Sequence, residues 1–261
     1  MAAKAVVEQA RRALGPVGAA LPSATGQATP VGLQRDAVRR LEQAGYASAW
    51  VNEVIGKDAL VQASVLLAAT DRLVVGTGIA NVWARSAQTA HGAAAQLAEA
   101  YPRRLVLGLG VGQPQQAASV GAKFGSPLAT MRTYLQQMVT PFPGRLQAPD
   151  GPYARNVGAN GPRMLALAGQ AADGAMPAMQ PPASTLEARA LLGPDKLLVV
   201  LMDASAVQGD AAAVARTVRE HLHAGADHVV AGLPMGSDFS AGVDRLVTLG
   251  PALTNIPPAS C

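Results

Sequence analysis

The stretch Val106-Leu107-Gly108-Leu109-Gly110-Val111-Gly112 places a glycine at every second position. Side chains alternate between the two faces of a strand, so Gly108, Gly110 and Gly112 share one face and bulky residues hold the other. An upstream run repeats the arrangement, with Gly76 and Gly78 on one face and Val75, Thr77 and Ile79 on the other. Glycine weakens a strand and is characteristic of places where a ligand or another backbone comes close. Two neighbouring strands bared over one patch make a wall on which a planar ring system can lie. The alternative is that these glycines seat large side chains from other strands. The spacing G-x-G-x-G continues through a strand and is not a dinucleotide fingerprint.

A second constellation is Gly158-Ala159-Asn160-Gly161-Pro162-Arg163-Met164. Pro162 suits the first position of a helix and Asn160 or Gly161 can cap it, which makes a strand-to-helix junction with free backbone N–H groups. With Arg163 beside it, this is a candidate phosphate seat; an ordinary helix start is the alternative. Gly236-Ser237, before the last helix, competes for that role, although Asp238 would repel an anion there. Titratable groups at the strand ends are few. Asn52-Glu53 follows the second strand, and Glu53 is the candidate acid or base, its carboxylate expected to face the mouth; a plain surface carboxylate is the alternative. Asp203 ends the seventh strand. His91, His221 and His223 fall in helical segments and His228 opens the last strand, so all four read as structural or solvated. No Ser/His/Asp set and no metal-ligand cluster stands out, which argues against hydrolysis.

These residues need a scaffold, and the chain supplies a repeated pattern of strand, turn and helix. Strands begin near Val17, Ser48, Leu73, Leu105, Asn156, Gly174, Leu197 and His228. Helices follow at Pro30–Ala44, Asp58–Ala69, Gln88–Glu99, Leu128–Val139, Pro162–Ala172, Ala183–Leu191, Ala211–Ala224 and Phe239–Leu249. Eight such units imply a parallel sheet closed into a (β/α)8 TIM barrel, a single domain over residues 1–261; an open doubly wound sheet is the rival. A helix at Ala3–Leu14 precedes the barrel and is expected to cover its bottom. Thr140 to Arg155, interrupted by four prolines, reads as an ordered loop at that same end.

The composition suits this scaffold. Of 261 residues, 49% are hydrophobic and 15% charged, enough to bury a large core. The net charge of +4 comes from scattered Arg, without the basic run or aromatic platform that a nucleic-acid partner needs. Cys261 is the only cysteine, so neither an internal disulfide nor a thiolate zinc site can form. The N-terminus lacks the pattern of a signal peptide, and the longest apolar run, Ala59 to Thr70, is too short to span a bilayer. A cytoplasmic protein acting on a small molecule is expected.

Leu41-Glu42-Gln43-Ala44-Gly45-Tyr46 leads to Trp50-Val51-Asn52-Glu53, followed by Val75 to Ile79, Arg104 to Gly112, Gly158 to Pro162 and Arg219 to His228. In this order and spacing the chain resembles the luciferase-like monooxygenase superfamily, and within it the deazaflavin-dependent oxidoreductases. That resemblance implies a barrel, usually dimeric, that holds coenzyme F420 or FMN over its mouth. Gly78, Ile79 and Ala80, flanked by Thr77 and Asn81, would line the ring beside a non-prolyl cis peptide. Asn52 and Glu53 would sit near its pyrimidine edge. Gly110, Val111, Gly112 and Gln113 would border the ring at the end of the fourth strand, and Ala159, Asn160, Gly161 and Pro162, with Arg163, would take the phosphate. The chain departs from the family pattern at Val54, where a His often stands, and at Gln113, where an acid or His often stands. Its connection after strand seven, Asp203 to Asp210, is also short. The resulting expectation is an F420-dependent hydride transfer without oxygen incorporation, because short loops cannot close a dry site over a peroxide. An FMN-dependent reductase or monooxygenase and a non-catalytic deazaflavin-binding barrel are the alternatives. The apolar, small-residue segment Val61–Ala69 is the candidate surface for a homodimer.

Overall fold

Short runs of Val, Leu, Ala and Gly buried on both faces are the mark of a parallel sheet covered by helices. In the computed structural model, which describes residues 2–23, 26, 28–141, 146–205 and 210–257, they form one such sheet. The strands are β1 (Val17–Ala20), β2 (Ser48–Val51), β3 (Val74–Thr77), β4 (Ala80–Asn81), β5 (Leu105–Gly110), β6 (Ala154–Gly158), β7 (Gly174–Met176), β8 (Leu197–Asp203) and β9 (His228–Gly232). Every pairing is parallel. β1 pairs with both β2 and β9, and β3 pairs with β5, so the sheet closes on itself. The two-residue β4 continues the place of β3 alongside the end of β5, which leaves eight positions around the cylinder. The chain is a closed eight-stranded TIM barrel, and the open-sheet alternative is excluded.

The helices are α1 (Ala2–Leu14), α2 (Val31–Gln43), α3 (Ala59–Ala68), α4 (Ala87–Ala100), α5 (Pro114–Ala118), α6 (Pro127–Val139), α7 (Pro162–Ala171), α8 (Pro182–Leu192), α9 (Ala211–His223) and α10 (Phe239–Leu253). The eight helices expected after the strands lie within a few residues of their predicted spans. β4 and α5 are additions that are too short to carry a period in sequence. α10 runs past Leu249 through Pro251, which lies in its last turn. No helix among the described residues is long and apolar enough to cross a membrane, and no group of metal ligands occurs among them.

Strand alternation divides the apolar residues into two cores. Val75, Leu107, Leu109 and Val200 face outward and pack with the helices. Trp50, Val74, Val106, Val199 and Val230 face inward, and Val7, Ala10 and Leu14 of α1 close this inner core from below. α1 therefore plugs the bottom of the barrel. Arg11 fastens it there, donating to the carbonyls of Pro194 and Lys196 at 2.7 and 2.9 Å and lying 3.0 Å from Asp227. Asp227 also accepts from Arg189 and from the N–H of Leu198, both at 2.7 Å.

His228 sits in the inner layer, wholly buried. The carbonyl of Gly15, 2.8 Å away, can only accept, so Nδ1 carries the proton. Nε2 then accepts from Trp50 Nε1 at 3.2 Å and meets Ser48 Oγ at 2.9 Å. Burial lowers its pKa from 6.5 to about 4, against a smaller upward pull from the Gly15 carbonyl. Below pH 6.5 the unfolded chain thus binds a proton that the native state refuses. The stability contributed by neutral His228 is complete above pH 6.5 and declines as the pH falls towards 4. At about 1.4 kcal/mol per unit this amounts to about 3 kcal/mol. Urea unfolding followed across that window should show the decline, and His228→Gln should remove that part of the slope.

Candidate functional site

The C-terminal ends of the strands form the mouth, and the glycines there do face inward. What they make room for differs from the expectation. A Cβ at Gly76 would overlap the indole of Trp50, and one at Gly110 would come within 2.5 Å of the Ile79 side chain. At Gly78 a Cβ would lie 2.8 Å from Met176 Cε. The space over Gly76, Gly78 and Gly110 is filled by large side chains from other parts of the barrel, as the alternative held, and at Gly108 a Cβ would strike the Thr77 carbonyl. Ile79 was expected on the helix-facing side with Val75 and Thr77, but it packs on the inner core. The alternation stops where β3 stops, at Thr77, and the Gly78–Ile79 peptide that follows is cis. Gly112 also leaves the expected wall. β5 ends at Gly110, and Gly112 adopts φ +57° in the turn to α5, with no room for a Cβ beside the Gln116 amide. Gln113 is exposed, and its N–H donates to Gln116 Oε1 at 2.8 Å.

Two other residues assigned to the ring have turned away from it. Thr77 Oγ1 donates to the Gly108 carbonyl at 2.7 Å and accepts from the Gly108 N–H at 2.9 Å, which clamps β3 to β5. Ala80 is fully buried in the outer core. Asn81 and Val111 are turn-makers, their oxygens accepting from Trp83 N at 3.0 Å and Trp83 Nε1 at 2.8 Å.

Glu53 is corrected in a more consequential way. Its side chain is 2% exposed and does not look into the mouth. One oxygen accepts from Ala59 N at 2.8 Å and the other from Asn81 N at 2.6 Å, while Arg85 grips both. Arg85 also pairs with Asp58 at 3.0 Å. Burial works against the charge on Arg85, but Glu53 and Asp58 outweigh it and hold the guanidinium above its ordinary pKa. A carboxylate saturated by four donors positions the surrounding loops and is unsuited to shuttle protons. Arg85 was not anticipated, since it lies in the turn before the Ser86 cap of α4, where no period marks it.

Asn52 does reach the mouth. Lys57 Nζ donates to its Oδ1 at 2.9 Å, which leaves the amide N–H groups on the other side. Burial lowers the pKa of Lys57, with Glu53 opposing. The cleft at the centre of the mouth holds about 110 Å³ and is lined by Asn52, Ser23, Gly78, Trp50 and three methionines. Sequence reasoning missed Met176, Met179 and Met235, which lie on three different segments with no shared motif. Larger cavities of about 500 and 440 Å³ flank the Val54–Asp58 loop on its two sides.

The two candidate anion seats differ. Asp238 caps α10 with its own carboxylate, accepting from Ala241 N at 2.8 Å. α7 starts at Gly161 with no side-chain cap, and Asn160, Gly161, Pro162 and Arg163 are exposed around it. Asn160 Oδ1 instead accepts from Ala178 N at 2.8 Å and ties the α7 turn to the segment after β7. Ala159 is buried beneath.

A closed barrel with an uncapped helix start at its mouth defines the class, a (β/α)8 protein. The profile of the luciferase-like monooxygenase family matches residues 17–193, and the chain belongs to that family. It is 26% identical over 151 residues to a 5,10-methylenetetrahydromethanopterin reductase of Methanolobus tindarius, covering 52% of this chain and 46% of that protein. The chain thus spans about half the length of this curated relative. The coenzyme F420-dependent tetrahydromethanopterin reductase of Methanopyrus kandleri superposes with a TM-score of 0.73 at 16% identity, over 92% of this chain and 99% of that one. The oxygenating constituent of 3,6-diketocamphane monooxygenase from Pseudomonas putida, a type II Baeyer–Villiger enzyme in complex with FMN, gives 0.72 at 11% identity, over 95% and 100%. At these identities the two structures share the fold.

The glycine–isoleucine contact is directly testable. Gly110→Ala should cost about 1–3 kcal/mol by overpacking against Ile79. The double variant Gly110→Ala/Ile79→Ala should recover part of that loss, a coupling that chemical denaturation of the four-member cycle measures.

Proposed function

We propose that this chain is a coenzyme F420-dependent oxidoreductase that moves a hydride between the deazaflavin and a small organic substrate, in the cytoplasm and without a nucleic-acid partner. The observation that carries the reading is the pairing of an uncapped, exposed helix start with an apolar cleft in one mouth. The residues fit such a group. The backbone of Gly161 and Arg163, with the Arg163 side chain, would hold its phosphate. Gly78 and Ile79 would support the ring, and the Asn52 amide would meet its polar edge. When bound, the cofactor supplies the two-electron chemistry. The chain's residues bind, orient and exclude: Lys57 fixes the Asn52 amide, and the Glu53–Arg85 pair holds Asn81 and the start of α3. Glu53 is thereby proposed as a positioning residue. The coenzyme F420-dependent reductase of Methanopyrus kandleri, which has the same fold, supports this cofactor. The FMN-bound structure of the same fold favours a second reading, an FMN enzyme, and a non-catalytic deazaflavin carrier is the third.

Fluorescence titration of purified protein separates the cofactors; the deazaflavin should bind at least tenfold more tightly than FMN. The loop from Leu233 to Asp238 is short, and of the Ala204–Gly209 loop residues 206–209 lie outside the described residues. Oxygen-independent hydride transfer therefore fits this mouth better than chemistry that needs a closed lid. Turnover with reduced deazaflavin should proceed anaerobically and leave labelled oxygen out of the product. Label in the product without anaerobic turnover would support a monooxygenase, and binding without turnover a carrier.

A homodimer is part of the same proposal. Val31 and Leu33 on α2, Ile55 on the loop before α3 and Val61 on α3 are each 47–63% exposed, and Val31, Ile55 and Val61 line one cavity, an apolar surface that would suit a second copy. Sedimentation at micromolar concentration should show a dimer, and Val61→Lys should shift it towards monomer.

A further inference from the structure

We infer that the cavity of about 500 Å³ bordered by α2, α3 and the Val54–Asp58 loop is the substrate pocket, and that it takes a largely apolar molecule bearing an N–H or O–H donor, for which Gln62 is the acceptor. That the pocket serves a reaction rests on the proposed reading; its demand for a donor rests on the side chains of its wall. The cavity adjoins the central cleft given to the cofactor ring. Ser23 lines both, and Asn52 of the cleft stands two residues before Val54 of the cavity. A molecule held here lies beside the ring and does not compete for its space.

Most of the wall is apolar, with Val31, Val54, Ile55, Val61, Val65 and Phe239 around the space. Val31, Ile55 and Val61 are exposed at the rim, where the second copy proposed above would sit. Val54 and Val65 are half-buried and Phe239 is buried, so they form the inner side that a ligand meets. Among the described residues the charged side chains of the wall are Lys57 and Asp58, of opposite sign. Asp58 caps α3 through Leu60 N and Val61 N and pairs with Arg85, and Lys57 donates to Asn52. An ion of either sign would find its like as well as its opposite here, so neither charge selects the ligand.

The selecting group is a relay of two amides. Gln34 Nε2 donates to the Thr29 carbonyl at 2.7 Å, and a carbonyl only accepts, so the Gln34 oxygen is turned towards α3. That oxygen accepts from Gln62 Nε2 at 2.8 Å, which fixes the second amide in turn. The polarity set at Thr29 thus passes along the relay and leaves Gln62 Oε1 at its end. This oxygen is buried and, among the described residues, has no hydrogen-bond partner. Leaving a buried acceptor unpaired costs more than a formed bond gains. Gln62 cannot cure this by turning over, since that would break its bond to Gln34 and set two oxygens against each other. Gln62 lines the cavity and is half-buried, which puts the acceptor at the wall and not in the deep core. What the wall lacks is a donor.

The test compares quinolin-2(1H)-one, an apolar frame with one N–H, with its N-methyl analogue, which keeps the carbonyl and loses the donor. Calorimetry on the full chain should show about tenfold tighter binding of the N–H form, the usual contribution of one neutral hydrogen bond. Gln62→Met keeps the length of the side chain and should abolish the preference while the N-methyl form binds as before. Gln34→Lys offers only a donor, so it should draw the Gln62 oxygen away from the cavity and abolish the preference with Gln62 intact. Saturating deazaflavin should displace neither probe. Equal binding of the two probes to the parent, no binding of either, a preference unchanged in both variants, or displacement by the deazaflavin would overturn the inference. The N–H preference in a chain that binds no deazaflavin removes the proposed cofactor and keeps the pocket; deazaflavin binding without the N–H preference does the reverse.

Discussion

The mouth of this barrel depends on one buried ion pair. Glu53 follows β2 and Arg85 precedes α4, so their contact joins two loops that the barrel scaffold alone would leave independent. The carboxylate also takes the N–H of Asn81, holding β4 against the sheet, and the N–H of Ala59, holding the first turn of α3. The Glu53 backbone completes the link, its N–H donating to the Ile79 carbonyl at 3.1 Å. Removing one partner of such a pair strands the other charge in the interior, at a cost of about 3–5 kcal/mol. The pair therefore acts on the position of Ile79 and Asn52 even though neither charge faces the cleft.

Ile79 can turn inward only because its neighbours are small, and the same complementarity runs through the inner layers. Trp50 lies over Gly76, and Ile79 lies over Gly110 and close to Gly158. Asn156 sits between glycines in register on both sides, Gly108 on β5 and Gly174 on β7. Its Nδ2 donates to the Ala175 carbonyl at 3.3 Å, while Oδ1 is buried without a partner. A barrel interior must be filled to the density of a crystal, and in this chain few large residues do the filling against many glycines.

That economy explains what was legible in the sequence. The alternation of apolar runs and helical periods placed eight strands and eight helices, because periodicity reports burial and burial makes the barrel. The inward face of Gly108 and Gly110 followed from the same rule. The rule fails where a strand ends. Beyond Thr77 and Gly110 no period constrains the chain, so the direction of Ile79 and the turn at Gly112 were not readable. Glu53 stood out as a carboxylate at a strand end, but its role is decided by Arg85, 32 residues away, and by backbone N–H groups that carry no sequence signal. The methionines of the cleft were invisible for a related reason, since a lining drawn from β7, the segment after it and the loop after β9 is assembled only by closure of the sheet.

A mouth whose charges cap helices or cancel one another has little capacity for proton transfer. At Val54 and Gln113 the family resemblance leads one to expect ionisable groups, and the structure does not replace them, because Glu53 is saturated and Lys57 is turned to Asn52. Acid–base or nucleophilic mechanisms need a group with a free valence at the reacting atom, and the central cleft presents two neutral side chains and a set of thioethers. Hydride transfer is the chemistry with the smallest demand on such a lining, since it requires two carbons aligned and water kept at a distance. The same features that disqualify Glu53 as a catalyst thus suit the barrel to positioning, which under the proposed reading leaves the electrons to a cofactor.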